Sequence, residues 1–254
     1  MHSTAPARTT AWLLVATLIL AGWPAANARQ PHSMNTPTRN ETTSLTSLSP
    51  HQQALALIAA FAASGNAARL KPALEAGLNA GLSVSDVREV LLQLYAYAGF
   101  PRSLNALGEL MGAVEARKAR GLHDDPGRAP STPALQGDAL LKAGTANQTL
   151  LAGGPVAGPL FDFAPDANTY LRTHLFGDIF QRDNLDWQTR EVATVSMLSM
   201  IEGTDPQLQA HIRMSMNIGV GQGALLQLAD VLDAHVADTA AQRVRKALEG
   251  KAQQ

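Results

Sequence analysis

An internal repeat constrains the fold of this chain more than any other feature, because a repeat sets the architecture. The stretch that ends at Val220 aligns without a gap on the stretch 48–82, with Gly219 on Gly81. The offset is 138 residues, the difference between 219 and 81. Each copy has the size of a helical hairpin, which is too small to bury its apolar faces alone. We therefore expect the copies to pack on each other and on further subunits, in a homo-oligomer.

Composition and local signals predict an all-α fold. Aromatic residues make up only 5% of the 254 residues, and alanine and leucine dominate, which favours helices over strands. Ser49 precedes Pro50, and Ser83 stands three residues before Asp86. Both patterns are typical of a capped helix start.

The same punctuation predicts the domain organisation. The connection between the repeats is rich in proline and glycine, with one short helix near 136–143. Its segment 144–165 is too apolar for a flexible linker, so we expect it to pack across the helices. The predicted parts are a signal peptide 1–28, a disordered lead-in 29–48, a first repeat 49–120, a connection 121–165 and a second repeat 166–250.

The N-terminus predicts export. Arg8 precedes the apolar run 11–24, which is shorter than a membrane-spanning helix. Ala26 and Ala28 form an A-x-A cleavage pattern, so the mature chain is expected to begin at Arg29 in the periplasm or outside the cell. The alternative is an uncleaved membrane anchor. After cleavage, no membrane association is expected.

Charge and cysteine content exclude several classes of function. The 20 basic and 21 acidic residues give a formal net charge of −1, so nothing predicts a nucleic-acid partner. The sequence contains no cysteine. Disulfides, thiol redox chemistry, zinc–thiolate sites and cysteine nucleophiles are therefore excluded.

Two stretches resemble a known family. They are VREVLLQLYAYAGFPRSLNAL, residues 87–107, and TREVATVSMLSMIEGTDPQLQAHIRMSMNIGV, residues 189–220. Together they are similar to the carboxymuconolactone decarboxylase family, which includes the alkyl hydroperoxidase D-type proteins. The resemblance extends over most of 49–120 and 170–235. It implies an all-α fold of helical hairpins, assembly into trimers or hexamers, and a reference reaction that needs neither cofactor nor metal.

The resemblance also implies site residues. The peroxidase branch of the family uses a glutamate, a Cys-x-x-Cys pair and a following histidine. In the second repeat these fall, in order, on Glu191, Thr204, Gln207 and His211. Thiol-based peroxide reduction is therefore impossible here. In the first repeat the acid and base positions are Gln53 and Ala73, so only the second repeat keeps both ionisable groups.

Physical reasoning from the residues supports the same pair. Glu191 precedes the charge-free run 192–201, and a helix that is apolar all round is a buried helix. His211 borders the apolar face of the next helix. Because histidine titrates near neutral pH, the pair is suited to general acid–base catalysis. We predict Glu191 and His211 as catalytic residues; the alternative is a purely structural pair.

The break at Gly99 and Pro101 predicts a binding site. Free N–H groups at a helix start bind anions, and an arginine at 102 strengthens this preference. Tyrosines two positions apart cannot share one helix face, so one should line the site while the other packs. The predicted substrate-binding residues are Tyr95, Tyr97, Arg102 and Asn105. The alternative is a kinked core helix with Arg102 turned to solvent.

Two functions remain open at this level. The first is a cofactor-free lyase or isomerase that acts on a small anionic substrate, either carboxylated or of the lactone type. The second is a non-catalytic exported binding or scaffold protein with the same fold.

Overall fold

The computed structural model describes residues 44–250. The predicted signal peptide, and the lead-in up to residue 43, lie outside the described residues. Within 44–250 the chain is helical, and apart from one isolated bridge it has no β-pairing, which confirms the all-α class. None of the helices in this range has the length and apolar character that crossing a membrane requires.

Eleven α-helices and one π-helix make up the described range. In chain order they are α1 Pro50–Ser64, α2 Ala67–Asn79, α3 Val84–Gln93, α4 Tyr95–Ala119, α5 Gly137–Ala152, α6 Pro159–Phe163, α7 Pro165–Tyr170, the π-helix Leu171–Ile179, α8 Trp187–Ser199, α9 Asp205–Asn217, α10 Gln222–His235 and α11 Asp238–Glu249.

The helices of the two repeats match in register. Helix α9 begins and ends 138 residues after α2, and α10 begins 138 residues after α3. This is the offset read from the sequence alignment. The predicted duplication of a helical hairpin is therefore present in the structure.

Helices α1 and α8, the first helix of each repeat, pack against each other and join the two halves. Ala56 and Ala60 of α1 share a buried cluster with Val192 and Val195 of α8. Every residue of α8 from 189 to 199 is buried, as its lack of charge predicted. Because alanine side chains are small, the two helices can approach closely, and neither repeat buries this surface without the other.

The predicted helix starts are confirmed. The Ser49 hydroxyl accepts the Gln52 backbone N–H at 3.2 Å, and the Gln52 side chain accepts the Ser49 N–H at 3.0 Å. Pro50 occupies the first turn of α1. Ser83 and Asp86 form the same reciprocal capping box at the start of α3. These four-residue signals satisfy backbone N–H groups that a helix start would otherwise leave free.

The chain bends at Gly99 as predicted, but it also turns earlier. A single helix reaching Gly99 was expected, whereas α3 ends at Gln93 and α4 begins after a turn at Leu94. Gly99 has φ 80° and ψ 162°, a conformation that other residues rarely adopt. The additional turn is a tertiary feature, since it separates two tyrosines that then contact different parts of the molecule.

The connection between the repeats contains a longer helix than predicted. Helix α5 spans 16 residues, where a short helix near 136–143 was expected. Its Gly144, which weakens helix propensity, is required by packing, because a Cβ there would lie 1.7 Å from the Arg172 carbonyl oxygen in the π-helix. Leu151 of α5 packs with Phe176 and Ile218. The apolar start of 144–165 thus packs across the helices, as expected.

Candidate functional site

The predicted acid–base residues are in direct contact. Nδ1 of His211 on α9 lies 2.9 Å from Oε2 of Glu191 on α8. Glu191 is completely buried and His211 is 6% exposed. Asp186 caps α8 by accepting the Thr189 N–H at 2.8 Å, which sets the start of the helix that carries Glu191. The separation is within the range that proton transfer between positioned side chains requires.

This contact determines how the imidazole can react. An ionised carboxylate only accepts hydrogen bonds, so Nδ1 of His211 carries the proton that Glu191 binds. In the neutral ring Nε2 then holds the free lone pair, and in the imidazolium Nε2 holds a proton that it can donate. The other oxygen of Glu191, Oε1, is buried and has no partner among the described residues. It is an acceptor still open to a water molecule or a ligand group.

Tyr97, from the first repeat, contacts the imidazole edge-on. The two ring centroids are 5.4 Å apart and the rings are inclined by 81°. Burial, and after it the nearby Glu191 carboxylate, raise the pKa of Tyr97 well above its usual range. The hydroxyl therefore stays protonated in neutral solution. Tyr95 instead stacks on Phe100 with a centroid distance of 4.6 Å. The two tyrosines diverge as predicted, and Tyr97 is the one beside the pair.

A buried charge cluster near Tyr97 was missed by the sequence reasoning. Glu89 of α3 is fully buried and accepts two hydrogen bonds of 2.7 Å from Arg182 and one of 3.0 Å from Arg190. Burial raises the pKa of Glu89, but hydrogen bonds from Arg182, Asn184 and Arg190 outweigh it and lower the pKa to about 2. Arg190 is also fully buried, and burial lowers its pKa. The available signal was Arg190 itself, a charge at the start of an otherwise apolar helix.

Arg102 and Asn105 lie in a surface groove formed by α1, α2 and α4, with a volume of about 420 Å³. Arg102 is exposed and donates to the carbonyl of Ala63 near the end of α1. Of residues 102–104 only Ser103 is buried, so this helix start does not point into the interior as expected. Glu191 and His211 do not line this groove. The structure therefore does not bring the two predicted binding residues together with the acid–base pair.

The family's other site positions have structural surroundings here. Thr204, at the first cysteine position, donates to the carbonyls of Leu198 and Ile201 in the loop before α9. Gln207, at the second, is exposed. In the first repeat, the side chain of Gln53 donates to the Leu48 carbonyl at 3.1 Å. Within residues 44–250, no three histidine, aspartate or glutamate side chains are grouped closely enough to hold a metal ion.

Comparison with protein families agrees with this architecture. The model of the carboxymuconolactone decarboxylase family matches residues 32–110 and 165–250, which together make up more than half of the chain. This chain belongs to the carboxymuconolactone decarboxylase family. The two matched segments correspond to the two helical repeats, and α5 and α6 lie between them. A search of curated proteins found no significant match. As a family member without cysteine, the protein presents a carboxylate–imidazole pair in place of thiol chemistry.

Proposed function

We propose that the protein is a cofactor-free lyase or isomerase in which His211 transfers a proton and Glu191 is its carboxylate partner. The observation that supports this most is the 2.9 Å contact between the two side chains. A carboxylate that accepts from Nδ1 holds the ring in one tautomer and stabilises the imidazolium. Only the second repeat has this pair, since Gln53 and Ala73 occupy the same positions in the first.

The family's reference reaction, the decarboxylation of a carboxymuconolactone-type acid, can be written with these groups. The bond between the ring carbon and its carboxylate breaks, carbon dioxide leaves, and the electron pair spreads onto the conjugated lactone as an oxyanion. The imidazolium of His211 then gives the Nε2 proton to carbon, and the neutral ring regains a proton from solvent. Glu191 stays ionised and stabilises the imidazolium. An isomerase would use the same base to remove a proton and return it.

The substrate class that we propose is a small carboxylated or lactone-type anion. Tyr97 offers a protonated hydroxyl beside the imidazole, suited to a developing oxyanion. Arg102 and Asn105 remain predicted binding residues, now of the groove between α1, α2 and α4. An arginine at the rim of an otherwise apolar groove suits recognition of a carboxylate.

We also propose that the protein is exported and processed after Ala28. The support is the sequence alone, through the charged start, the short apolar run and the Ala26–Ala28 pattern. Intact-mass analysis of the exported protein should show Arg29 as the first residue. Full-length protein recovered from the membrane fraction would instead indicate an anchor.

Replacing His211 by glutamine tests the proposed chemistry. Glutamine still donates a hydrogen bond to Glu191 but cannot carry a proton to a substrate. We expect the variant to fold, to lose about 1 kcal/mol of stability at most, and to lose roughly 10²- to 10⁴-fold in rate. The assay is carbon dioxide release from a panel of carboxylated lactones. His174→Gln is the matched control, because His174 also pairs with a carboxylate, that of Asp178, but is exposed.

The second candidate function is a non-catalytic exported binding or scaffold protein. It is favoured by the burial of the pair, since Glu191 is fully buried and the groove that carries Arg102 does not reach it. In that case His211→Gln changes stability alone, and the wild-type protein releases no carbon dioxide from any acid in the panel.

A further inference from the structure

A continuous series of buried polar contacts runs from the charge cluster of the first repeat to the acid–base pair of the second. We call it the polar chain. Its members alternate between α3–α4 and α8, so each contact crosses from one repeat to the other or turns within α8. The polar chain consists, in order, of Glu89, Arg190, Gln93, Thr194 and Tyr97.

The polar chain is anchored by charge. Glu89 and Arg190 are both fully buried, and an ion pair in the interior strongly prefers one geometry because separating it would leave two unpaired charges. Arg182 adds a second cation to the same carboxylate. Arg190 also donates to the Arg182 carbonyl at 3.1 Å. The position of the Arg190 guanidinium is therefore fixed from several directions.

The charge of Arg190 decides which way the next side chain points. Nη1 of Arg190 donates to Oε1 of Gln93 at 3.2 Å. The amide nitrogen of Gln93 donates to the Arg190 carbonyl at 3.1 Å and to Oγ1 of Thr194 at 2.6 Å. Rotating the amide by half a turn would place its donors against the cation and its oxygen against a carbonyl. Gln93 thus holds a single orientation and presents a donor to Thr194.

Thr194 carries this order on to Tyr97. Its hydroxyl donates to the Arg190 carbonyl at 2.9 Å and accepts from Gln93, which uses its proton and one of its two lone pairs. The hydroxyl oxygen of Tyr97 lies 3.4 Å away, beside the remaining lone pair. The ring of Tyr97 then meets the His211 imidazole edge-on. One side of the catalytic ring is in this way bounded by a residue whose own position is set from the first repeat.

The other half of the molecule lacks both the polar chain and the acid–base pair. Gln227 stands where the first repeat has Glu89, and it also reaches the opposite repeat, accepting the Leu48 N–H at 2.7 Å. The contact survives as geometry but without charge. At the offset of 138, the residues that replace Glu89, Arg190, Gln93, Thr194 and Tyr97 are Gln227, Gln52, Val231, Ala56 and His235.

We propose that the first repeat completes the site of the second, with the polar chain positioning Tyr97 against the imidazole of His211. Gln93 and Thr194 are positioning residues, since they act through Tyr97. Their importance for a reaction rests on the proposed proton transfer at His211, but their effect on the ring can be measured without a substrate. The proposal explains why a repeat that has lost its own ionisable pair still carries a buried ion pair and a buried amide.

The test is to cut the polar chain at one hydroxyl and observe His211 by NMR. Thr194→Val keeps the shape of the side chain and removes only the link between Gln93 and Tyr97. In protein labelled with ¹³C at histidine Cε1, with the His211 resonance assigned through His211→Gln, we expect this resonance to shift and its titration midpoint to move. Tyr97→Phe should produce a similar shift, and the double variant should add little to either one, because both cut the same link.

Two matched variants decide whether the effect is specific. Thr194→Ser restores the hydroxyl and should return the resonance towards its wild-type position. Thr189→Val removes another buried threonine hydroxyl from α8, one that contacts Gln52 and Asp186, and should leave His211 unchanged. An unchanged His211 signal in Thr194→Val, or an equal change in Thr189→Val, would overturn the proposal.

The outcomes separate this proposal from the proposed function. If Thr194→Val moves the His211 resonance while no acid in the panel is decarboxylated, positioning stands and the proposed reaction fails. If His211→Gln abolishes activity while Thr194→Val leaves both the resonance and the rate unchanged, the reaction stands and positioning fails.

Discussion

Arg190 and Glu191 are adjacent in the sequence but serve opposite sides of α8. The Arg190 guanidinium binds Glu89 on α3 of the first repeat, at 3.0 Å. The Glu191 carboxylate binds His211 on α9 of its own repeat, at 2.9 Å. Successive residues on a helix are turned by about 100°, so one helix start can place a cation and an anion in two different interiors. Helix α8 therefore links the charge cluster to the acid–base pair.

The buried Glu89 makes stability depend on pH in the acid range. Its pKa is about 2 in the folded protein, against an ordinary value of 4.5. A carboxyl group with a lowered pKa stabilises the fold above its unfolded pKa, and this contribution is lost as the pH falls from about 4.5 towards 2. Glu89→Gln should lower the unfolding free energy at neutral pH by about 3–5 kcal/mol, because Arg190 then lacks its buried partner.

Urea denaturation at pH 7 and pH 3 measures both effects. The variant should lose less stability between these two pH values than the wild type. Glu109→Gln is the control, since Glu109 pairs with the exposed Lys71 at 3.4 Å and is itself 28% exposed. We expect the control to lie within about 0.5 kcal/mol of wild type. A Glu89 variant as stable as this control would contradict the structural role of the cluster.

Gly144 should not tolerate a side chain. In Gly144→Ala the new Cβ would lie 1.7 Å from the Arg172 carbonyl, so α5 and the π-helix must move apart. We expect a loss of about 1–3 kcal/mol, the usual cost of overpacking. Gly108→Ala is the matched control in α4, where a Cβ meets nothing within 4 Å, and it should gain up to about 1 kcal/mol through helix propensity. Thermal unfolding of the two variants should give shifts of opposite sign.

Arg102→Ala tests whether the groove recognises an anion. If Arg102 binds a substrate carboxylate, the variant should raise KM roughly tenfold or more with kcat nearly unchanged, since the lost charged hydrogen bond contributes equally before and during the reaction. Arg120→Ala is the control, because Arg120 is a surface arginine that pairs with Glu75. An unchanged KM would restrict Arg102 to its contact with the Ala63 carbonyl.

Self-association is expected from the unpaired apolar surface and from family membership. Phe100, Leu104 and Met111 on α4 are each more than 60% exposed, and large apolar side chains grouped on one helix are more typical of an interface than of a free surface. Light scattering coupled to size exclusion should show an oligomer at micromolar concentration. A stable monomer under these conditions would contradict the prediction.

Local patterns in the sequence were sufficient to predict much of the architecture. The repeat, the capping boxes at Ser49 and Ser83, the bend at Gly99 and the buried helix after Glu191 all depend on residues within a few positions of each other or on a constant offset. The contact between Glu191 and His211 was also accessible, because two consecutive antiparallel helices bring such positions together.

Tertiary packing decided the rest. Glu89 meets Arg182 and Arg190 across about a hundred residues of chain, and no local pattern indicates which buried charge will find which partner. Helix α5 extends through Gly144 because the close approach of the π-helix requires a residue without a side chain. Arg102 binds a carbonyl at the surface because the turn at Leu94, absent from the predicted helix, changes the direction of α4. Periodicity and capping act over one or two turns of helix, whereas the pairing of buried charges depends on how whole helices pack.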